Sequence, residues 1–575
     1  MLGLKHIPIP LDSKDSTIRK AFVKFKHSTL WKVYFRENFL KAEIQSQQNN
    51  LKLKPFNIKL KPIKTGTHFC TELADNHPIH DIFSKFGRSL NRYLKFNPTR
   101  YTFNATHRII KKLKLQHPSI IFKATDKNLG FCALDLDHYN ELVLTHLNDT
   151  NTYLKYSEDD LPNEHLEGLL RREFYEFIIT QSHFWTDDER TYLNSWTDFK
   201  IPHFHVLPKI HKPGPLSSRP IAGALSWITT PISIILDIRL QATLSKYPQI
   251  LLNSQDLVSD IEQFQFTGLP SNFKLITGDI ITLYPNIDVA LMFTIIKKLE
   301  PSLLPLFEFI SNHSFVSFND LIYKQISGIA MGSNCSVSIA NLYLAEILDR
   351  HISSHPQVFY FKRYIDDLII IWLGTAFEWL DFTGDLSQIH ETLNFTWSTP
   401  DTKAIFLDIK IFLDPILFRL DTCVFQKQLN KYLYISRKSC HPPHVFAGFI
   451  KGELTRYARL STNAHLYLAT KTLLWKRLVT RGYSTTYLSP LFRKHNWISR
   501  FEPIAPRTSN LLPFILPYNL RPNLSDLTKL CHEFKTSFAP FLPNSELLLS
   551  FSRPANLNDL LTSSKLTFDQ SLLLL

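Results

Sequence analysis

Residues 360–374 read YFKRYIDDLIIIWLG, and two adjacent carboxylates, Asp366 and Asp367, sit between two runs of large apolar and aromatic residues. Runs of that composition, broken by a short polar step, predict a β-hairpin with buried strands. A buried carboxylate without a partner costs several kcal/mol or takes up a proton. Two accounts of the pair are open at this point: a solvated turn, or acids held there for a metal ion.

A second acid has a similar setting. Asp279 ends the short apolar strand predicted for KLITGDI, 87 residues before Asp366. If the two strands are neighbours in one sheet, Asp279 and Asp366 meet at one edge, and each raises the pKa of the other unless divalent cations neutralise them. Two Mg²⁺ ions would do so and would serve phosphoryl chemistry. Spacing alone leaves open the plainer account of two unrelated acids at strand ends.

The remaining composition narrows the class. Apolar residues make up 44% and charged residues 20% of 575 positions, which suits several packed units rather than a disordered chain. The six cysteines are scattered with no Cys-x-x-Cys pair, which argues against a zinc ribbon or a disulfide scaffold. HFHVLPKIH and CHPPHVF lack the paired spacing of a structural zinc site. No apolar run reaches membrane-spanning length and the start lacks a signal-peptide core, so a soluble chain without a membrane partner is expected. Net charge is +14, and residues 1–120 hold 23 Lys and Arg against 7 Asp and Glu. That basic stretch, predicted mainly helical, reads either as a polyanion-binding surface or as solvated helix faces.

Along the chain, SIIFKATDKNLGFCALDL predicts two strands around a turn at 126–130. EHLEGLLRREFYEFII predicts a helix, and Thr186 or Asp187 an N-cap for the next one. Prolines 208, 213, 215 and 220 exclude helix from HFHVLPKIHKPGPLSSRPIAG, leaving strand, loop and strand. NIDVALMFTIIKKLE predicts an amphipathic helix. SGIAMGSNCSVSIANLYLAEILDRHI predicts a glycine turn and then a helix with Ser336 and Ala340 on one side. HVFAGFIKGELTRYARLS and AHLYLATKTLLWKRLVTRGYS predict two helices, the second stopped by Gly482. The tail reads as proline-rich and irregular up to ANLNDLLTSSKL.

The ordered blocks LPKIHKP…SRPIAG, GDIITLYPNI, GIAMGSNCSVSIANLYLAE, RYIDDLIIIW and FLDIKI resemble the polymerase motifs of reverse transcriptases. AMGS, NFTW at 394–397 and SCHPPHVFAGFIKGELTRYARLS resemble, more narrowly, the reverse transcriptases of Penelope-like retroelements. LGLKHIPIP, DKNLGFCALDLDHYNE and RPANLNDLLTSSKL are similar to that group's outer regions. No GIY…YIG pair occurs, so the likeness is to forms lacking that endonuclease, whether naturally or by truncation, and TFDQSLLLL fits no family motif.

The resemblance implies an α+β right-hand polymerase: a basic N-terminal region (1–120), fingers with part of the palm (121–271), a palm with an antiparallel sheet (272–420), a thumb (421–515) and a C-terminal extension (516–575). It implies an RNA-directed DNA polymerase with an RNA template, a DNA primer and dNTP as partners. Two Mg²⁺ ions, with Mn²⁺ as a substitute, are the implied cofactors. Asp279, Asp366 and the Ile280 carbonyl become metal ligands, and Asp367 a supporting acid. Lys212 and Arg219, with Lys209 as a weaker third, become contacts to the triphosphate. Tyr284 becomes the gate against a ribose 2′-OH, and Gly332 the place where backbone nears the nascent base pair. Asn341 is expected to position the template, and Arg456 and Arg459 to grip the nucleic-acid backbone. For four of these calls a structural account stays open: surface lysine for Lys209, core aromatic for Tyr284, buried helix polar for Asn341, and a solvated face for Arg456 and Arg459. DNA synthesis at a genomic end implies the nucleus, though KKLK at 111–114 is too short to establish import. A non-catalytic or domesticated nucleic-acid-binding protein and a telomerase-like end-extending enzyme are the alternatives.

Overall fold

A computed structural model describes residues 14–48, 73–96, 105–156, 163–427, 430, 432–502, 510–518, 524–553 and 556–562. Strands Val358–Tyr364 and Asp367–Trp372 form the expected hairpin, with Tyr364 opposite Asp367 and only Ile365 and Asp366 in the turn. Strand Lys274–Ile280 pairs with the far edge of Asp367–Trp372, and Phe395–Trp397 pairs with Lys274–Ile280. In the resulting four-stranded antiparallel sheet the two acid-bearing strands are the central neighbours.

Both faces of this sheet are covered. Leu368, Ile370 and Trp372 enter one core with helices Thr229–Leu244, Val289–Leu299, Leu304–Asn312 and Ser336–Leu344. Ile369 and Ile371, on the alternate face, enter a second core. That core is shared with strands Lys403–Phe406, Ile409–Asp414 and Arg419–Val424 and with helices Pro443–Arg459 and Ala464–Thr480. A strand with no solvent face loses the period-two alternation of polarity, which is why LIIIW is apolar throughout.

Arg363 is the exception within the sheet. It points inward beside Phe361 and is wholly buried. Its Nε and Nη2 donate to the two carboxylate oxygens of Asp349 at 2.8 and 2.7 Å. Nη1 donates to Asn341 Oδ1 at 2.8 Å and to the Ile365 carbonyl at 3.0 Å, and Nη2 donates also to the Asn341 carbonyl at 3.1 Å. These contacts occupy all five N–H groups of the guanidinium. Asp349 ends a π-helical turn, Ala345–Asp349, that continues the helix Ser336–Leu344. Such turns form where a side chain enters the backbone ladder, and here the Asn341 carbonyl receives Arg363 as well as the Ala345 amide.

At the chain ends the structure departs from the sequence pattern. The expected irregular tail contains strands Asn510–Pro517 and Ser545–Ser552, paired in parallel, with helix Leu524–Glu533 between them in sequence. A two-stranded pair leaves each strand a free edge, and such an edge accommodates Pro513 and Pro517. The N-terminal helices Lys14–Gln48 and Ile79–Phe96 pack on this unit. Ile18, Phe25, Phe83 and Phe86 share one core with Leu512, Phe514, Leu527 and Leu547. The basic N-terminal residues and the C-terminal ones therefore do not bury their apolar surface separately.

The buried ion pair yields a stability prediction. Arg363→Met leaves Asp349 uncompensated and should cost about 3–5 kcal/mol in chemical denaturation, while the double change Arg363→Met, Asp349→Leu should recover much of that loss. Equal losses in the single and double variants would show that packing, not charge pairing, holds this position.

Candidate active site

Asp279 and Asp367 lie directly opposite each other across the central strand pair, so both side chains leave the same face with Cβ atoms about 4.5–5.5 Å apart. Asp366 occupies the turn, and its carbonyl accepts the Ile280 amide at 3.0 Å. The sequence expectation that Asp279 and Asp366 meet is refined here: Asp367 is the in-register partner of Asp279, with Asp366 beside both. Ile365 carries φ 56°. A β-branched residue rarely adopts that conformation, and the hairpin tip is held in it by the Arg363 contact to the Ile365 carbonyl.

The three carboxyls all titrate above their ordinary range. Burial and then Asp366 push Asp279 up, against Lys212, Lys127 and Arg219. Burial raises Asp366, against its own backbone hydrogen bond, Arg219 and Arg363. Asp367 is pushed up to about 6 by burial and by Asp366 and Asp279. Asp279 and Asp367 border a groove of about 260 Å³ lined also by Thr277, Gly278, Thr396 and Phe406. Gly278 is required beneath Trp397, because a Cβ there would lie 2.4 Å from the indole ring. The NFTW block thus plays a structural part, since Trp397 stacks on Phe395 and covers the strand that carries Asp279.

The opposing cations come from two other hairpins. His205–Pro208 and Ser218–Ile221 pair as the prolines require, with Leu207 opposite Arg219 and the 209–217 loop between them. Lys212 is exposed at this loop and Arg219 half-exposed at its end. Lys209 is partly buried, and its ammonium is pushed down by that burial and then by Lys212 and Arg219. The second hairpin, Ile120–Ala124 with Phe131–Asp135, carries Asp126 and Lys127 at its tip. Asp126 is buried and pairs with Arg219 at 3.5 Å.

Tyr284 is partly buried near Asp366 and Arg219, and its phenol is pushed up to about 12 by burial and then by Asp366. The Ile329 amide donates to its carbonyl at 2.9 Å, tying it to the glycine turn. Gly332 sits in that turn at φ 109°, where a Cβ would lie 2.9 Å from Gly223 Cα. Its close approach is therefore to the SRPIAG segment, and the Ala222 amide donates to the Met331 carbonyl beside it.

Two other expected contacts, Asn341 and Arg456, are engaged internally. Asn341 is buried with both its side-chain and main-chain oxygens on Arg363. Arg456 pairs with Asp408 in the Lys403–Phe406 and Ile409–Asp414 hairpin and with Glu453 on its own helix. Arg459 has a buried Nε and no hydrogen-bond partner at that atom. The expected pair at the nucleic-acid backbone thus becomes, for Arg456, a tie between helix and sheet. Asp126, Lys127 and Arg363 were missed at the sequence level. Arg363 had a signal: a cation two residues from Phe361 on the same face of an apolar strand calls for a buried acid.

Neither a protein-family model nor a curated protein matches the chain. Among solved structures it is similar to telomerase from Candida albicans in complex with a TWJ fragment of telomeric RNA, at 11% identity and TM-score 0.44, over 73% of this chain and 70% of that one. It is also similar to apo telomerase from Candida tropicalis, at 10% identity and TM-score 0.38, over 66% of this chain and 70% of that one. Likenesses this distant leave function to the chain's own residues.

Among the described residues no three or more His, Cys, Asp or Glu side chains form a ready-made metal cage. The donor chemistry nevertheless fits Mg²⁺, which takes one or two carboxylates and completes its shell with water and substrate phosphate. All side-chain donors are oxygens, and burial, which raises all three carboxyls, disfavours leaving their charges without a counter-ion.

For Asp367 the sign follows directly. Its folded pKa of about 6 lies above the unfolded value of about 3.9, so the fold is more stable at the acid end of that window and loses the increment as pH rises through the folded value. If the cluster binds Mg²⁺, the ion should raise the thermal midpoint more at about pH 7.5 than at about pH 5, where protons compete with it for the charge of the acid cluster. An equal rise at both values would separate the carboxyl titration from metal binding.

Proposed function

We propose that the chain is an RNA-directed DNA polymerase of right-hand architecture, transferring a nucleotide from a dNTP to a primer 3′-OH. The observation that carries this reading is the meeting of Asp279, Asp366 and Asp367 on one sheet face and turn, within electrostatic reach of Lys127, Lys212 and Arg219. Acids that need cations, opposed by cations that need anions, suit a metal-bound triphosphate. The RNA template and the assignment to a Penelope-like retroelement rest on the motif resemblance, as does a nuclear site of action.

In this reading residues 121–271 supply the fingers and part of the palm, 272–420 the palm and 421–515 the thumb. Asp279 and Asp366, with the Ile280 carbonyl, would hold two divalent cations, and Asp367 would support them. Mg²⁺ bound there supplies Lewis acidity that lowers the pKa of the attacking hydroxyl and offsets charge on the leaving oxygen. Arg219 clamps phosphate oxygens as a fork and Lys212 acts as a point charge. Tyr284 excludes a ribose 2′-OH. The bond from the 3′ oxygen to the α-phosphorus forms as the bond to pyrophosphate breaks in line, and the hydroxyl proton passes to solvent.

The nucleic-acid surface is best supported on helix Ile79–Phe96. Lys85, Arg88, Arg92 and Lys95 are exposed on the side opposite the buried Ile79, Phe83, Phe86, Leu90 and Leu94. Spacings of three, four and three residues keep these cations in one stripe.

Primer extension on an RNA template with Mg²⁺ and dNTP tests the central reading. Asp279→Asn and Asp366→Asn should each lower incorporation at least about a hundredfold. Incorporation equal to the unaltered chain would remove the catalytic assignment. Absence of incorporation by the unaltered chain would favour a nucleic-acid-binding protein of the same fold.

For the stripe, replacing Lys85, Arg88, Arg92 and Lys95 by alanine should flatten the dependence of log affinity for RNA on log salt by about 0.7–0.9 for each phosphate contact removed. Point changes are preferable to deletion, because removing the helix would also strip the core it shares with residues 510–553. An unaltered slope would leave the stripe as a solvated face.

A further inference from the structure

The tip of the Ile120–Ala124 and Phe131–Asp135 hairpin meets the other cation-bearing hairpin through Asp126 and Arg219. Its turn is closed by Thr125, whose amide and hydroxyl both donate to the Gly130 carbonyl, at 3.2 and 3.3 Å. Asp126 is 4% exposed, a depth at which a carboxylate needs a partner. One oxygen faces Arg219 Nε at 3.5 Å, and the other is buried without a hydrogen bond. Lys127, the next residue, is exposed and held at φ 54°, ψ 23°, a left-handed conformation that non-glycine residues rarely adopt. Strain of this kind at a tip that bears a charge points to placement of that charge.

Lys127 adjoins Asp126, which pairs with Arg219 of the other hairpin, and its charge reaches Lys209 and His211 there. Both ring nitrogens of His211 are buried and lack partners. Four cations, Lys127, Lys209, Lys212 and Arg219, thus gather around one carboxylate, Asp126. A single buried acid does not neutralise them, and an arriving polyanion would.

We propose that the 125–130 turn is a third wall of the nucleotide site, in which Lys127 contacts the incoming triphosphate and Asp126 is a positioning residue that fixes the Arg219 fork. The inference rests on the polymerase reading for the identity of the ligand, a deoxynucleoside triphosphate. The carboxylate restrains one edge of the Arg219 guanidinium through Nε, leaving the terminal nitrogens for phosphate oxygens. Lys127 approaches from the opposite hairpin, so the triphosphate is held between two hairpins rather than along one.

The test uses the full chain and two probes, dTTP and inorganic tripolyphosphate, with dTMP as the control, by equilibrium binding with Mg²⁺. Lys127→Ala should weaken both triphosphate probes about tenfold, the size expected for removal of one charged hydrogen bond, and leave dTMP unaltered. Lys127→Arg should restore most of the affinity. Asp126→Asn should raise the KM for dNTP in primer extension more than it lowers kcat, at a thermal midpoint close to that of the unaltered chain. A merely structural Asp126 would instead lower the midpoint and kcat together, and that result would overturn its role. Unaltered tripolyphosphate affinity in Lys127→Ala would overturn the site itself. Extension activity with a normal KM in Lys127→Ala would sink this inference and spare the polymerase. Lys127-dependent triphosphate binding without any extension would do the reverse.

Discussion

The contact between Arg363 and the Ile365 carbonyl sets the geometry on which the acid cluster depends. A two-residue turn with positive φ at its first residue would ordinarily take glycine, and here it takes a β-branched isoleucine. The strained carbonyl is held from below by a guanidinium whose other donors are engaged by Asp349 and Asn341. Because those partners sit on the continuous helical run 336–354, the turn is registered against a helix rather than against solvent. The arrangement is not a source of great stability, since taking both charges out of water offsets most of their attraction. It gives position, and a cluster of like charges can be kept close only where the backbone cannot relax away from it.

The same guanidinium carries an electrostatic consequence. Arg363 lies behind Asp366 and lowers its pKa, but Asp349 already answers most of that charge. The acids at the tip are therefore only partly compensated from within the fold, and burial leaves all three above the ordinary carboxylate range. On the other side, the cations of two hairpins share a single buried Asp126. Each half of the site is charged in the sense the other half cannot fully cancel, because they stand on separate hairpins with a groove between. In the proposed reading a ligand carrying both signs, a polyphosphate with bound divalent cations, would satisfy both halves at once.

Local chemistry was readable where neighbours in sequence decide the outcome. Thr186 caps the helix Asp187–Asn194 through a reciprocal pair with Glu189, and Gly482 turns left-handed after the helix Ala464–Thr480, as their residue types demand. The acid hairpin followed from its two apolar runs, whereas its pairing with Lys274–Ile280 was left open by spacing and the antiparallel sheet was implied only by the motif resemblance. What escaped was non-local. The parallel pairing of Asn510–Pro517 with Ser545–Ser552 has no signature in either segment alone, and two prolines disguised the first strand. Asn341 and Arg456 have side chains suited to nucleic acid, and nothing in their own segments reveals that Arg363 and Asp408 lie within reach.

The engagement of Arg456 changes where nucleic-acid contacts have to be sought. Burial works to raise the Asp408 carboxyl, yet the Ser254 hydroxyl and Arg456 outweigh it and leave it below its ordinary value. That pairing joins the helix Pro443–Arg459 to the hairpin beside the groove, so breaking it to free the guanidinium for phosphate would strand a lowered-pKa acid next to the same anion. A partly exposed pair of this kind contributes at most about 1 kcal/mol, but the repulsion left behind would add to the cost of exchange. The stripe on helix Ile79–Phe96 bears no such penalty, since its four cations face away from the shared core. Charge for a polyanion is thus least costly where the apolar side of a helix is already satisfied, and that places the basic surface on the unit built jointly by the two ends of the chain.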